Sequence, residues 1–271
     1  MTDLPDELTE RAAHFLRQWE LRRDGPPMRG RCAHVLPVLR ADGTPAVLKL
    51  QDVDDETVGE PVALRAWNGD GAVRLLAADN GTLLLERLAA ERPLDDLEDT
   101  REATLVVAGL LARLTAAPAP PELRRLGDLA PRLLDRAASV LPRTGEPSLL
   151  ADCAAAVREV AEEPGDRLLH WDLHFENVLA SDRAPWLAID PKPLAGDPGF
   201  ELLPALWNRF DPDEVLWRFD AMTEVLGLDR DRAQAWTLGR VLQNAVWQIE
   251  EGDPPLPEQL DIAERLRAHR G

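Results

Sequence analysis

The sequence predicts an α+β protein in two lobes, the first rich in strands and the second in helices. Three observations predict it. Up to about residue 90, short apolar runs alternate with turn signals. From residue 94 onward, apolar residues recur at helical spacing over long stretches. With 45% apolar residues in a chain of 271, there is enough to bury a sizeable core. Strands gathered ahead of helices, rather than alternating with them, mark the α+β class.

The elements follow in order. Residues 6–22 place Leu8, Ala12, Phe15, Leu16 and Trp19 on one helical face, and Asp24-Gly25-Pro26-Pro27 stops that helix. Runs 33–40 and 46–50 read as a hairpin turning at Asp42-Gly43. A helix is expected over 56–67, then strands over 72–78 and 82–85 around Asp79-Asn80-Gly81. Helices are expected at 95–115, 122–139, 148–162, 201–208, 212–226, 230–250 and 257–269, interrupted by strand-like pieces at 167–169, 177–180 and 186–189. The boundary falls within 86–93, dividing an N-terminal lobe, 1–89, from a C-terminal lobe, 90–271.

Composition narrows the function. The net charge is −18, with 49 acidic against 31 basic residues. A surface that negative argues against a nucleic-acid binder and is compatible with a cationic partner. No apolar run approaches the roughly 18–20 residues that span a bilayer, and the acidic N-terminus lacks a signal-peptide core, so a cytoplasmic protein is expected. Cys32 and Cys153 are too few for a disulfide framework or a zinc site. Lys49 and Lys192 are the only lysines; the other 29 basic residues are Arg.

Chemistry concentrates in His170-Trp171-Asp172-Leu173-His174-Phe175-Glu176-Asn177. Asp172 and Asn177, five positions apart ahead of a short apolar strand, can aim two oxygen ligands at one site, and Asp190 ends the next apolar run, Trp186-Leu187-Ala188-Ile189. Phosphoryl transfer needs a carboxylate near the attacking hydroxyl and oxygen ligands for Mg²⁺ beside the phosphates. Lys49 sits in Ala46-Val47-Leu48-Lys49-Leu50, where a buried ammonium is costly unless it is paired or bound to phosphate.

His170–Asn177 resembles the catalytic loop of the aminoglycoside phosphotransferase family, whose members share a bilobal protein-kinase-like fold. Trp186-Leu187-Ala188-Ile189-Asp190-Pro191-Lys192 resembles its streptomycin 6-phosphotransferase and hydroxyurea phosphotransferase branch, and the likeness runs over about 30–250. The resemblance implies that Asp172 is the catalytic base, that Asn177 and Asp190 bind Mg²⁺, and that His170 braces the loop. It implies that Lys49 contacts ATP phosphates and pairs with a helix Glu, Glu60 rather than Glu56. Backbone groups near Glu86 and Leu88 would hold adenine, and Gly30 with its neighbours would cover the phosphates, although the stretch 29–34 holds a single glycine. Lys192 would neutralise phosphate charge or position substrate, and His174 would orient the loop. Trp171 stands where the family more often has glycine and reads as packing.

A cationic, hydroxylated acceptor calls for carboxylates near the base. Glu201 and Asn208 are the leading candidates, followed by Trp247 and Glu250, with Asp197, Asp211, Asp213, Glu214 and Glu251 as further carboxylates and Trp207 as a second stacking face. The expected activity is ATP-dependent O-phosphorylation of an aminoglycoside such as streptomycin. The alternatives are a metabolic kinase for another hydroxylated molecule, such as an amino sugar or hydroxyurea, and a nucleotide-binding module without catalysis. The joint presence of Lys49, Asp172, Asn177 and Asp190 argues against the last.

Overall fold

The computed structural model describes residues 5–30, 33–143 and 147–269. Helix α1 (Asp6–Gln18) leads into short strands β1 (Arg22–Arg23) and β2 (Met28–Arg29), the hairpin β3 (Ala33–Leu39) and β4 (Pro45–Gln51), helix α2 (Glu60–Trp67), and strands β5 (Leu75–Asp79) and β6 (Thr82–Glu86). These strands make one antiparallel sheet in the order β1-β3-β4-β6-β5, with β2 also on β3. At the hairpin tip Gly43 has φ +82°, and the Asp42 carboxylate accepts the Thr44 N–H at 2.9 Å.

Strand β4 shows how the sheet aims a cation. Ala46, Leu48 and Leu50 point to a small core with Leu36, Val38, Leu84 and the α1 residues Ala12 and Phe15. Val47 and Lys49 alternate with them and line the cleft on the other face.

The second lobe holds β7 (Ala89–Pro93), helices α3 (Thr100–Leu114), α4 (Leu126–Val140) and α5 (Pro147–Val160), strands β8 (Arg167–Leu169), β9 (Val178–Ala180), β10 (Trp186–Ala188) and β11 (Leu194–Gly196), and helices α6 (Leu203–Trp207), α7 (Val215–Leu226), α8 (Arg230–Glu251) and α9 (Pro257–Ala268). Strands β10, β9 and β7 form a three-stranded sheet, and β11 pairs with β8. Both small sheets bracket the His170–Asn177 loop. Helix α8 runs through the main core with Trp236, Leu238, Val241, Leu242, Val246 and Ile249 buried. Helix α2 shares that core through Ala63, Leu64 and Trp67, whose Nε1 donates to Leu114 O at 3.0 Å. At its start, a Cβ on Gly59 would meet Leu123 Cδ2 at 2.7 Å, so glycine permits α2 to approach the helical lobe.

Several boundaries differ from the sequence reading. The helix expected from 56 starts at Glu60, because the Asp54 carboxylate takes the N–H groups of Glu56 and Thr57 (2.9 and 2.8 Å) in a separate turn. The strand expected from 72 starts at Leu75. Residues 71–73 instead bond to β10, Val73 N–H donating to Ala188 O at 2.9 Å. The helix expected over 201–208 divides into a 3-10 turn, Pro198–Glu201, and α6. Strands β1, β2, β7 and β11 are too short or too polar to show a period of two. Among the described residues, no helix is long and apolar enough to cross a membrane. Cys153 is buried, and burial pushes its thiol up to about 12, which leaves it unreactive. Cys32 and Arg31 lie outside the described residues.

Candidate active site

A cleft of about 1060 Å³ opens between the lobes. On its N-lobe wall Lys49 Nζ bonds both oxygens of the buried Glu60 carboxylate, at 2.7 and 2.8 Å, and also contacts Asp190 Oδ1. Gln51 Nε2 adds a third hydrogen bond to Glu60, at 2.7 Å. Burial pulls the Lys49 ammonium down, but the two carboxylates outweigh it and hold Lys49 above its ordinary range. Gly30 lines the same wall; His34 does not, lying half-buried in β3 opposite Leu50.

Glu86 and Leu88 line the cleft where the lobes join. The Glu86 carboxylate accepts from Arg74 N–H (2.7 Å) and Arg183 Nε (3.0 Å), while Arg183 also donates to Gly69 O and Ala72 O, both at 2.7 Å. One arginine from the β9–β10 turn thereby pins the connection.

On the C-lobe wall, Asp172 Oδ2 lies 3.0 Å from Lys192 Nζ, and Lys192 lies 3.8 Å from Glu56. Two residues of this wall have left-handed backbone, Trp171 (φ +67°) and Asp190 (φ +58°), a conformation that non-glycine residues keep only when their surroundings enforce it. His170 is fully buried. Its Nε2 donates to Ile189 O at 3.0 Å and its Nδ1 accepts the Asp172 N–H at 3.4 Å. Burial pushes the imidazole down to about 4, so it is neutral at pH 7, as this pair of bonds requires.

Asn177 Nδ2 donates to Asp172 O at 2.9 Å, which leaves its Oδ1 as an available oxygen ligand on the cleft. Burial pushes the Asp190 carboxyl up, but the adjacent Lys49 outweighs it and holds Asp190 below the usual carboxylate range. No group of three or more His, Cys, Asp or Glu side chains among the described residues could hold a metal unaided. One carboxylate and one amide oxygen facing open cleft fit a hard cation such as Mg²⁺, which takes its other ligands from phosphate and water.

The acceptor candidates need correction. Glu201 is fully buried and faces no substrate: it accepts the N–H of Trp171 at 2.8 Å and also that of His170. Burial pushes its carboxyl up to about 7 even though the two N–H donors favour the ion. Asn208 lines the cleft, but its Oδ1 accepts the Phe175 N–H at 2.9 Å, so it too braces the loop. Glu250 lies on the exposed surface of α8, outside the cleft, where it accepts from Arg136 Nε at 3.0 Å. Trp247 packs edge-on against Trp171, ring centroids 6.1 Å apart, and faces a shallower depression beside the cleft. Asp197 and Glu214 pair with Arg232 (2.6 Å) and Arg101 (2.8 Å). The cleft lining also includes Trp207, Arg240, Asn244, Glu258 and Gln259, and the adjoining depression adds Glu56, Glu251 and Asp253. Only Trp207, Glu56 and Glu251 among these carried a sequence signal.

Comparison with known proteins agrees with this arrangement. A family model described as aminoglycoside/hydroxyurea antibiotic resistance kinase matches residues 18–252. A hydroxyurea phosphotransferase of Kitasatospora aureofaciens is 62% identical over 272 residues, covering 97% of this chain and 80% of that protein. A streptomycin 6-kinase of Streptomyces glaucescens is 54% identical over 269 residues, covering 94% and 88%. The solved structure of a choline/ethanolamine kinase family protein from Mesorhizobium loti superposes with a TM-score of 0.65 at 18% identity, covering 96% of this chain and 94% of that one. The fold is thus the bilobal protein-kinase-like α+β arrangement.

Proposed function

This chain belongs to the aminoglycoside/hydroxyurea antibiotic resistance kinase family, and from that premise we propose that it transfers the γ-phosphoryl group of ATP to a hydroxyl of a streptomycin-like aminoglycoside. The observation that carries the reading is the opposition across one cleft of the paired Lys49 and the Asp172–Lys192 pair. Lys49 binds nucleotide phosphate, with adenine on the backbone near Glu86 and Leu88 and phosphates under Gly30. Asn177 and Asp190 hold Mg²⁺, which neutralises phosphate charge when bound. Asp172 orients the acceptor hydroxyl and takes its proton. The acceptor oxygen bonds to the γ-phosphorus as the bond to the bridging β,γ-oxygen breaks, and ADP leaves. Lys192, 3.0 Å from Asp172, offsets charge on the oxygens in flight. Residues 1–89 then serve as the nucleotide lobe and 90–271 as the catalytic lobe, in a cytoplasmic enzyme supplied with ATP.

The acidic rim of Glu56, Glu251, Asp253 and Glu258 supports a cationic acceptor. The 62% identical relative favours a second reading, hydroxyurea as acceptor. An assay with ATP and a panel of streptomycin, other aminoglycosides, amino sugars and hydroxyurea, read by product mass, decides between them. Streptomycin turnover is expected, and no turnover of any aminoglycoside would sink the first reading. Asp172→Ala is expected to lower kcat about 10²–10⁴-fold; near wild-type activity in that variant would unseat Asp172 as base.

A further inference from the structure

Trp171 is 1% exposed and carries two guanidinium groups over its ring: Arg124 at 4.1 Å and Arg240 at 4.5 Å from the ring centre. Neither arginine makes an ion pair among the described residues. The Nε groups of both, and Trp171 Nε1, are buried without a hydrogen-bond partner. Asp172, Glu56 and Glu201 act on Arg240, and Glu56, Asp55 and Asp54 on Arg124, only from beyond pairing distance, and a cation so placed is a poor stabilising device. What the two arginines do hold is informative. Arg240 donates to Trp171 O at 3.4 Å, in the peptide that leads into Asp172, and Arg124 donates to Lys192 O at 3.3 Å. Asp172 and Lys192 are the two ends of the 3.0 Å pair in the cleft. Each end is therefore gripped on its backbone by an arginine, and both arginines stack on the ring that sits at the left-handed position before Asp172.

We propose that Arg124, Trp171 and Arg240 form a positioning clamp that sets the separation of Asp172 from Lys192 and aims the Asp172 carboxylate at the acceptor hydroxyl. The clamp rests on the reading of Asp172 as the base. Stacking does the holding, because a guanidinium lies flat on an aromatic face where an ammonium does not. It explains why a bulky ring stands directly before the base: the ring is the shared platform for two backbone grips that come from 124 and 240, far apart in sequence.

Steady-state kinetics on Trp171→Phe, Trp171→Leu, Arg124→Lys and Asp172→Ala test the clamp. Trp171→Leu is expected to lose about tenfold to a hundredfold in kcat, the scale set by a small misplacement of a reacting group. Trp171→Phe, which keeps a flat ring, recovers most of that loss. Arg124→Lys keeps the charge, loses the flat stack and lowers kcat, while KM for ATP stays within about twofold in every clamp variant, since nucleotide binding is untouched. Should Trp171→Leu fail to fold, the half-buried Arg124→Lys decides alone. Wild-type kcat in Arg124→Lys or Trp171→Leu, with Asp172→Ala inactive, overturns the clamp. Activity surviving in Asp172→Ala overturns the base reading itself, and with it the clamp's purpose.

Discussion

The two lysines face each other across the cleft and are held in opposite ways. Lys49 is 5% exposed and locked by charge, with Glu60 and Asp190 on its ammonium. The side chain of Lys192 is 25% exposed, and its carboxylate neighbours Asp172 and Glu56 are similarly open. Behind Lys49 stands the buried Glu60 carboxylate; behind Lys192 stand arginines over the Trp171 ring. The N-lobe wall therefore couples its cation to folding, whereas the C-lobe wall holds its cation among partly exposed carboxylates.

Substitutions can break this contrast. Lys49→Met strands the fully buried Glu60 and should cost about 3–5 kcal/mol of stability along with all measurable activity, read by denaturant midpoint and ATP turnover. Glu201 comes next and bears on the opposite wall. Its carboxyl is raised from the ordinary 4.5 to about 7 by burial. Between those values the folded protein keeps a proton that the unfolded chain releases, so the carboxyl's contribution to stability falls as pH rises through that window. Relative to Glu201→Gln, the wild-type protein should lose about 3 kcal/mol from pH 4.5 to pH 7, the shift converted at 1.36 kcal/mol per unit. Parallel stability–pH curves for the two proteins would disprove this. Lys192→Ala should lower kcat about tenfold to a hundredfold yet move stability by less than about 1 kcal/mol, as exposed pairs do. A Lys192→Ala protein destabilised as much as Lys49→Met would erase the distinction between the walls. Glu250→Ala should change neither activity nor stability beyond about 0.5 kcal/mol, because its pair with Arg136 lies on the exposed surface outside the cleft.

The same contrast explains what could be read from the chain. Lys49 and Glu60 are eleven residues apart, one on a strand whose alternation is plain, the other opening a helix, so their pairing was legible. So was the gathering of Asp172, Asn177 and Asp190 on one cleft, within a span of nineteen residues. Glu201 and Glu250 illustrate the limit. Both are glutamates near apolar helical residues, and nothing in their neighbours distinguishes a carboxylate folded under the catalytic loop from one laid over Arg136. Burial decides their roles, and burial here is set by how α8 crosses the loop. Arg124 and Arg240 were invisible for another reason: among 29 arginines no composition signal could mark two. The cleft residues Asn244, Glu258 and Gln259 come from α8 and α9 and meet only because those helices pack together. The short strands β7 and β11 form because their partners β9 and β8 present free edges, a tertiary fact that two to five residues cannot announce.

A chain with two lysine side chains on one cleft, one almost fully buried and one partly exposed, is also a selective substrate for amine chemistry. An acylating reagent of modest size meets a buried, doubly salt-bridged ammonium at Lys49 and an accessible one at Lys192. Mass mapping of the labelled chain would find lysine modification concentrated at Lys192, and its rate would fall as nucleotide or acceptor fills the cleft. The enzyme carries its own occupancy reporter, installed by the scarcity of lysine everywhere else.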